Sequence, residues 1–301
     1  MAPKFTFEVI KSDLQAINYL VEGLYTKIPM NFFGRYLSGK SLLTLQEAYY
    51  LAAQKNGNIL IIDVDGGAEL FVFKWDDILR DRYGFKGEVF IEPAYNVPIQ
   101  VYREMAEEKD TKAKKEVYEL KCFELFGVKA RAVISKPSSV TKGSKTMFIP
   151  YERSTNKVAD YIKNKKVVVV VIDSFSQIFK DVFVGTQSFG ERARAEDFLY
   201  GRIKAIGLQY PHVTFFLNHH QSQDPQKGTI SLAGGSSVLQ NSKLVLYIHR
   251  YEGKRDGYGY ISVYRFPNVK PWSKSAYIKY TDAGFVDATE EELKMLGKQR
   301  G

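Results

Sequence analysis

The sequence predicts an α/β fold built on a central, mostly parallel twisted sheet flanked by helices, with antiparallel strands at its C-terminal edge. Three observations carry that expectation. The stretch Gly34-Arg35-Tyr36-Leu37-Ser38-Gly39-Lys40-Ser41 fits the phosphate-cradling pattern G-x-x-x-x-G-K-[ST] at every specified position. The runs Asn58-Ile59-Leu60-Ile61-Ile62-Asp63 and Val167-Val168-Val169-Val170-Val171-Ile172-Asp173 are apolar without alternation, as parallel strands buried on both faces are. Both runs end in acids, and the C-terminal ends of such strands are where ligand-binding groups collect in open α/β sheets.

Taken in order, Phe5 to Ile10 alternates like an edge strand, and Ser12 is the expected cap of an amphipathic helix reaching about Leu24. Met30 to Phe33 reads as a short buried strand, and Leu42 to Gln54 carries apolar residues at helical spacing. Strand, glycine-rich loop and helix therefore follow in the order the motif needs. Gly34 and Gly39 let the backbone turn its N–H groups toward phosphate oxygens, and the helix N-terminus faces the same anions. Lys40 would add a full charge at the β/γ-phosphates and the Ser41 hydroxyl would ligate Mg²⁺, with Ser38 and Leu42 as further nucleotide-binding positions of the loop. The strand ending Asp63-Val64-Asp65-Gly66-Gly67 offers Asp63 and Asp65 for positioning water or metal, although Asp63 reads equally well as a turn or helix cap.

Trp75 to Tyr83 is expected to be a helix, Gly87 to Ile91 a strand, and Pro98 the opening of another helix at Ile99. The mixed-charge run Glu107 to Glu116 reads as an exposed helix face. Ala130 to Ile134 and Thr146 to Ile149 read as strands joined by the basic stretch Pro137 to Lys145. The segment at about 104–150 is thus expected to be an inserted helix plus basic β-hairpin within a single domain spanning 1–301. Its lysines Lys142 and Lys145 are either contacts for nucleic-acid phosphates or solvated loop residues.

A helix from about Thr155 leads to the valine-rich strand, whose Asp173 is the expected second Mg²⁺-binding element. Val213 to Asn218 is a further buried strand, delivering Asn218, His219, His220 and Gln221 to the same sheet edge. Neighbouring histidines in a strand face opposite ways, so no shared zinc is expected there. One of these polar side chains is instead a candidate for bonding the γ-phosphate or its attacking water. Ser222 to Gly235 reads as a loop. Leu244 to His249, Gly259 to Tyr264 and Ala276 to Tyr280 are expected as antiparallel strands, before a short helix opened by Thr289 with Glu292 as a capping box.

Composition narrows the setting. A chain of 301 residues with 45% hydrophobic content can bury a large core, and no run approaches the ~18 apolar residues of a membrane span. The N-terminus lacks the layout of a signal peptide, so a cytoplasmic location is expected. Cys122, the single cysteine, can form no internal disulfide and reads as a small buried apolar residue. The 43 Lys and Arg against 34 acids leave a net charge of +9, which suits a polyanionic partner.

In this order the motifs resemble the ATPase core of the RecA/RadA recombinase family, more closely its RadA branch, over nearly the whole chain. Leu14 to Leu24 looks like the family's helix before the phosphate loop, and Ile62-Asp63-Val64-Asp65-Gly66-Gly67 like its IDTEG strand end. Ile172-Asp173-Ser174 continuing to Glu191-Arg192 resembles another family block without a gap, Leu217-Asn218-His219 sits where the family has TNQ, and Gly234-Gly235 with Leu246-Tyr247 follow in turn. The resemblance implies a RecA-like P-loop fold that binds ATP and Mg²⁺. Lys40 and Ser41 would hold the phosphates and metal, Asp173 would complete the metal shell, and Asp65 would stand at the water-activating Glu, one methylene shorter. His219 would replace the γ-phosphate-sensing Gln and add pH sensitivity.

The resemblance also implies single-stranded DNA as partner, self-association into a filament or ring, and work beside recombination or replication proteins. Residues 181–190 and 221–235 correspond to the family's two DNA-binding loops. Thr186 takes the place of an Arg there, leaving Lys180, Gln187 and Lys227 as phosphate contacts. The missing N-terminal helical domain and the extra segment at 104–150 imply a paralogue, viral or plasmid-borne. A regulatory paralogue using ATP as a switch and a ring-forming DNA helicase are the alternatives on the same core.

Overall fold

The computed structural model describes residues 8–103, 114–136, 144–183, 188–223, 230–233, 235–252, 256–289, 291–292 and 294. At the N-terminal end β1 (Val9–Ile10) pairs antiparallel with β2 (Leu24–Tyr25), and between them lies α1 (Gln15–Val21). Ser12 is not the cap of this helix. Its hydroxyl accepts from the Leu14 N–H, while the first helical N–H groups, of Gln15 and Ala16, donate at 2.8 and 2.7 Å to the Asp287 carboxylate. A residue near the far end of the chain thus neutralises the positive helix terminus.

β3 (Met30–Gly34), the loop and α2 (Lys40–Gln54) follow as expected, and then β4 (Asn58–Asp63), α3 (Ala68–Tyr83) and β5 (Val89–Pro93). Pro98 opens no helix. It lies in β6 (Val97–Arg103), the edge of a four-stranded antiparallel sheet completed by β7 (Lys114–Glu119), β8 (Val128–Lys136) and β9 (Lys145–Arg153), with the short α4 (Lys121–Leu125) before β8. Proline is tolerated there because an edge strand need not donate every N–H, and the pairing slips by one residue between Pro98 and Gln100. The expected helix at the charged run is corrected as well: Lys114 to Glu116 are strand residues, and 104–113 lie outside the described residues. The small sheet is docked, not free-standing. Phe148 packs on Phe123 and Phe198, the Thr146 hydroxyl donates to Val182 O at 2.9 Å, and the Phe148 N–H to Glu191 at 2.8 Å.

The chain continues through α5 (Lys157–Asn164), β10 (Val167–Asp173), α6 (Gln177–Lys180), α7 (Phe189–Gln209), β11 (Thr214–Gln223), β12 (Ile230–Leu232), α8 (Gly235–Asn241) and β13 (Leu244–Arg250). Last come β14 (Tyr258–Arg265), β15 (Ser275–Thr281) and β16 (Gly284–Asp287). The main sheet has the order β16-β15-β14-β13-β3-β11-β10-β4-β5, with β12 paired to β11. From β13 to β5 every neighbouring pair on that path is parallel; from β13 to β16 every pair is antiparallel. The expectation that Leu244 to His249 belongs to the antiparallel set is therefore half right, since β13 runs parallel to β3. The Thr289 and Glu292 capping box forms, with reciprocal bonds of 2.8 and 3.3 Å.

Alternate residues of each central strand enter two cores. Ile59 and Ile61 pack with α1, α2 and α3; Leu60, Ile62, Val170 and Ile172 pack with α4 to α8 and with Phe148 of the small sheet. Each fully buried Val or Ile contributes about 1.5 to 3 kcal/mol relative to exposure, which is why the valine run takes the sheet's middle. Cys122 is buried, and burial pushes its thiol pKa up. Among the described residues no helix is long and apolar enough to cross a membrane.

Candidate active site

The parallel register brings the C-terminal tips of four strands together. Asp173 of β10 pairs with Asp63 of β4, and His220 of β11 lies opposite Gly34 at the start of the glycine-rich loop. The loop is closely held. A Cβ on Gly34 would strike Ile248 O, and one on Gly39, whose φ is +86°, would lie 2.6 Å from Phe285. The Tyr280 hydroxyl donates to Ser38 O from outside the loop. Only glycine fits at both positions, so the N–H groups between them can line a concave backbone surface.

Lys40 is 7% exposed, and its ammonium donates to Arg35 O at 2.8 Å and Gly34 O at 3.1 Å. Burial holds its pKa below the ordinary lysine value, with Asp173 and Asp65 pulling the other way. Ser41 opens on a cleft of about 210 Å³ that it shares with Asp63, Asp65 and Asp173. Burial raises the Asp173 pKa, opposed by the nearby Ser41 hydroxyl and Asn218 amide and by the Lys40 charge. Asn218 also donates to Thr44 Oγ1 at 3.0 Å, tying β11 to the first turns of α2. Ser38 is buried beside Lys40, and Leu42 turns its side chain into the core, so only its backbone faces the loop.

Asp63, which ends β4, and Asp65, in the turn after it, have different roles. Asp63 accepts from the N–H groups of Gly66 at 2.9 Å and Ala68 at 3.1 Å, and so takes the capping alternative, shaping the turn into α3. Asp65 is free of that duty. Its side chain is 41% exposed, yet the cleft walls, together with Asp173 and Asp63, push its pKa up to about 6.

His219 does not reach the cleft. It is fully buried, its Nε2 lies 3.0 Å from Asn31 Oδ1, and its ring packs against Phe175 at 5.2 Å. Burial, with His220 and Lys40, lowers its pKa to about 3, so it stays neutral near pH 7 and cannot supply the expected pH sensitivity. Strand alternation turns residues 218 and 220 to the loop's side and 219 to the other. His220, one of the four candidates at this sheet edge, lies beside Asp65 instead: its Nε2 is 3.1 Å from Ser174 Oγ and 3.9 Å from Asp65 Oδ2, and its backbone N–H donates to Ser176 Oγ at 2.8 Å. Counting two residues on from Asn218 could have found it.

Ser41 and Asp173 offer oxygen donors of the kind Mg²⁺ takes. Among the described residues no group of three or more His, Cys, Asp or Glu could hold an ion. One hydroxyl and one carboxylate, those of Ser41 and Asp173, line the cleft together beside the glycine-rich loop. Mg²⁺ is ordinarily held this way, through few protein oxygens plus phosphate and water.

Of the basic residues expected at DNA, Lys180 ends α6 and Lys145 begins β9, both exposed. Lys142, Gln187 and Lys227 lie outside the described residues, as does Thr186. The chain matches no protein-family model, and no curated protein matches it.

Proposed function

We propose that the chain is an ATP-hydrolysing protein of the RecA/RadA type that binds single-stranded DNA in recombination, repair or replication. The observation that carries this reading is the meeting of Lys40 and Ser41 with Asp173 and Asp65 at the C-terminal edge of a parallel sheet. The order β13-β3-β11-β10-β4-β5, with the loop between β3 and α2, is consistent with it. A regulatory paralogue with little DNA binding is the second reading, favoured by Thr186 where the resembling family has Arg.

On this reading Lys40 exchanges the carbonyls of Gly34 and Arg35 for phosphate oxygens, and the loop N–H groups bind the remaining charge. Ser41 and Asp173 would hold Mg²⁺, which when bound neutralises charge on the β- and γ-phosphates. Asp65 accepts the proton of the attacking water at its carboxylate, helped by a pKa already raised toward neutrality. His220 orients that water or the γ-phosphate from beside Asp65, its ring steered by Ser174. Neighbouring copies in a filament or ring would close the cleft from outside.

Turnover should be slow and should rise in Asp65→Glu, whose extra methylene restores the reach found in the resembling family. Steady-state phosphate release with and without single-stranded DNA measures this. A flat or lower kcat in the variant, with nucleotide affinity unchanged, would remove Asp65 from the water-positioning role.

DNA affinity should fall steeply with salt and show little sequence preference. Neutralising Lys142 and Lys145 together should flatten the salt slope by roughly one to two units, about one per lost phosphate contact. Fluorescent single strands titrated at several salt concentrations read the slope, and an unchanged slope would take these lysines off the DNA path.

A further inference from the structure

The sheet face packed by α7 and α8 continues onto β13 and β14, where Tyr247, Tyr260 and Tyr264 project together. Trp272, from the connection after β14, closes on them with ring centroids 5.1 Å from both Tyr247 and Tyr264. Trp272 is 43% exposed and Tyr260 and Tyr264 are half-buried, so the rings form the wall of a groove of about 690 Å³. Ile230 of β12 flanks it, on the strand that ends the segment resembling a DNA-binding loop. Beneath the rings Phe33, next to the first loop glycine, packs 5.0 Å from Tyr247 and from Tyr264.

The charge lining the groove itself is positive. Arg265 lines the groove, and no carboxylate lines it among the described residues. Arg35, exposed in the phosphate loop, lines a separate cleft with His249 and Arg250, which also holds Glu252 and Asp256. An apolar peptide would bury the Arg265 guanidinium with the Leu239 carbonyl as its partner and no counter-charge, and a charge buried without one is costly. A strand of bases offers π faces to the rings and phosphates to Arg265.

We propose that this groove is a stacking platform for the bases of single-stranded nucleic acid, with Trp272 as its outermost ring and Arg265 as its phosphate contact. The assignment deepens the proposed single-strand-binding function and rests on it. Stacking on Trp272 is tolerant of sequence, since every base has a π face, and it adds a term that salt does not screen.

The test titrates the full chain with oligothymidylate while following tryptophan emission. The sequence has two tryptophans, and Trp75 is buried in α3 against the opposite face of the sheet, so quenching reports Trp272. Saturable quenching is expected in the wild type. Trp272→Ala should weaken binding about tenfold with the salt slope unchanged, and Trp272→Phe should keep most of the affinity. Binding without quenching, or equal affinity in wild type and Trp272→Ala, overturns the platform and leaves single-strand binding standing. A Trp272→Ala chain that sediments as a smaller species with unchanged affinity assigns the groove to a second copy instead, and overturns it too. If the wild type binds no oligonucleotide at low salt, the single-strand reading falls and the platform with it.

Discussion

Lys40→Ala is expected to weaken ATP binding about a hundredfold or more while leaving the fold in place. The ammonium is buried at the mouth of the loop, where it donates to two backbone carbonyls and where burial already disfavours its charge. Phosphate oxygens would be stronger partners than carbonyls, because both members of the bond are then charged and little water is left to compete. Truncating one partner of such a desolvated pair typically costs 2 to 5 kcal/mol, and about 2.8 kcal/mol is a hundredfold. Stability should change little, since the substitution removes a costly buried cation along with two hydrogen bonds. Calorimetric titration of ATP into both proteins, with thermal melts of each, measures the two effects separately. Equal affinity in the two proteins would refute the assignment of the loop.

The second large effect concerns stability and lies away from the cleft. Glu47 of α2 is fully buried, its Oε1 accepts from Ser12 Oγ at 2.8 Å, and its Oε2 has no hydrogen-bond partner. Burial pushes its pKa from the ordinary 4.5 up to about 8. Between those values the folded protein holds a proton that the unfolded chain releases. Stability conferred by the protonated carboxyl is therefore complete below about pH 4.5 and is lost as pH rises toward 8, at up to about 1.4 kcal/mol per pH unit. By pH 7 the loss attributable to this group is slightly over ~3 kcal/mol. Glu47→Gln keeps the shape and cannot ionise, so its stability relative to wild type should grow steadily from pH 5 to pH 8. Urea melts across that range measure the difference, and parallel profiles for the two proteins would show that Glu47 does not titrate as described.

Those two residues also mark what could be read from the chain. Lys40 belongs to a local pattern of fixed spacing, and β4 and β10 announce themselves through uninterrupted apolar runs, because strands buried on both faces have no solvent side to alternate toward. Glu47 carried no signal, since what meets it is Ser12, 35 residues earlier in the chain. Pro98 was misleading for a related reason: proline opens helices and sits on edge strands with equal ease, and only the partner strand β7, 16 or more residues along, decides between them. The four-residue β16 is too short to show a period, yet it supplies Asp287 to the N-terminus of α1 and Phe285 beside Gly39.

The site shows the same division. Resemblance to a family places residues by counting along the chain, and that count led to His219. The pleat of β11 overrules it, because a shift of one residue turns a side chain from the cleft into the core. Sequence likewise left Asp63 between a cleft role and a cap, and the turn into α3 decides it, since that carboxylate accepts from two backbone N–H groups.

The central claim, a Mg²⁺-nucleotide site at the glycine-rich loop, is tested most directly by titrating ATP into the wild-type chain with Mg²⁺ and again with excess chelator. The account predicts saturable binding of one nucleotide per chain, weaker without Mg²⁺, and a melting temperature raised by several degrees at about a hundredfold excess over Kd. No heat of binding and no change in melting temperature at millimolar ATP, with Mg²⁺ present, would contradict it.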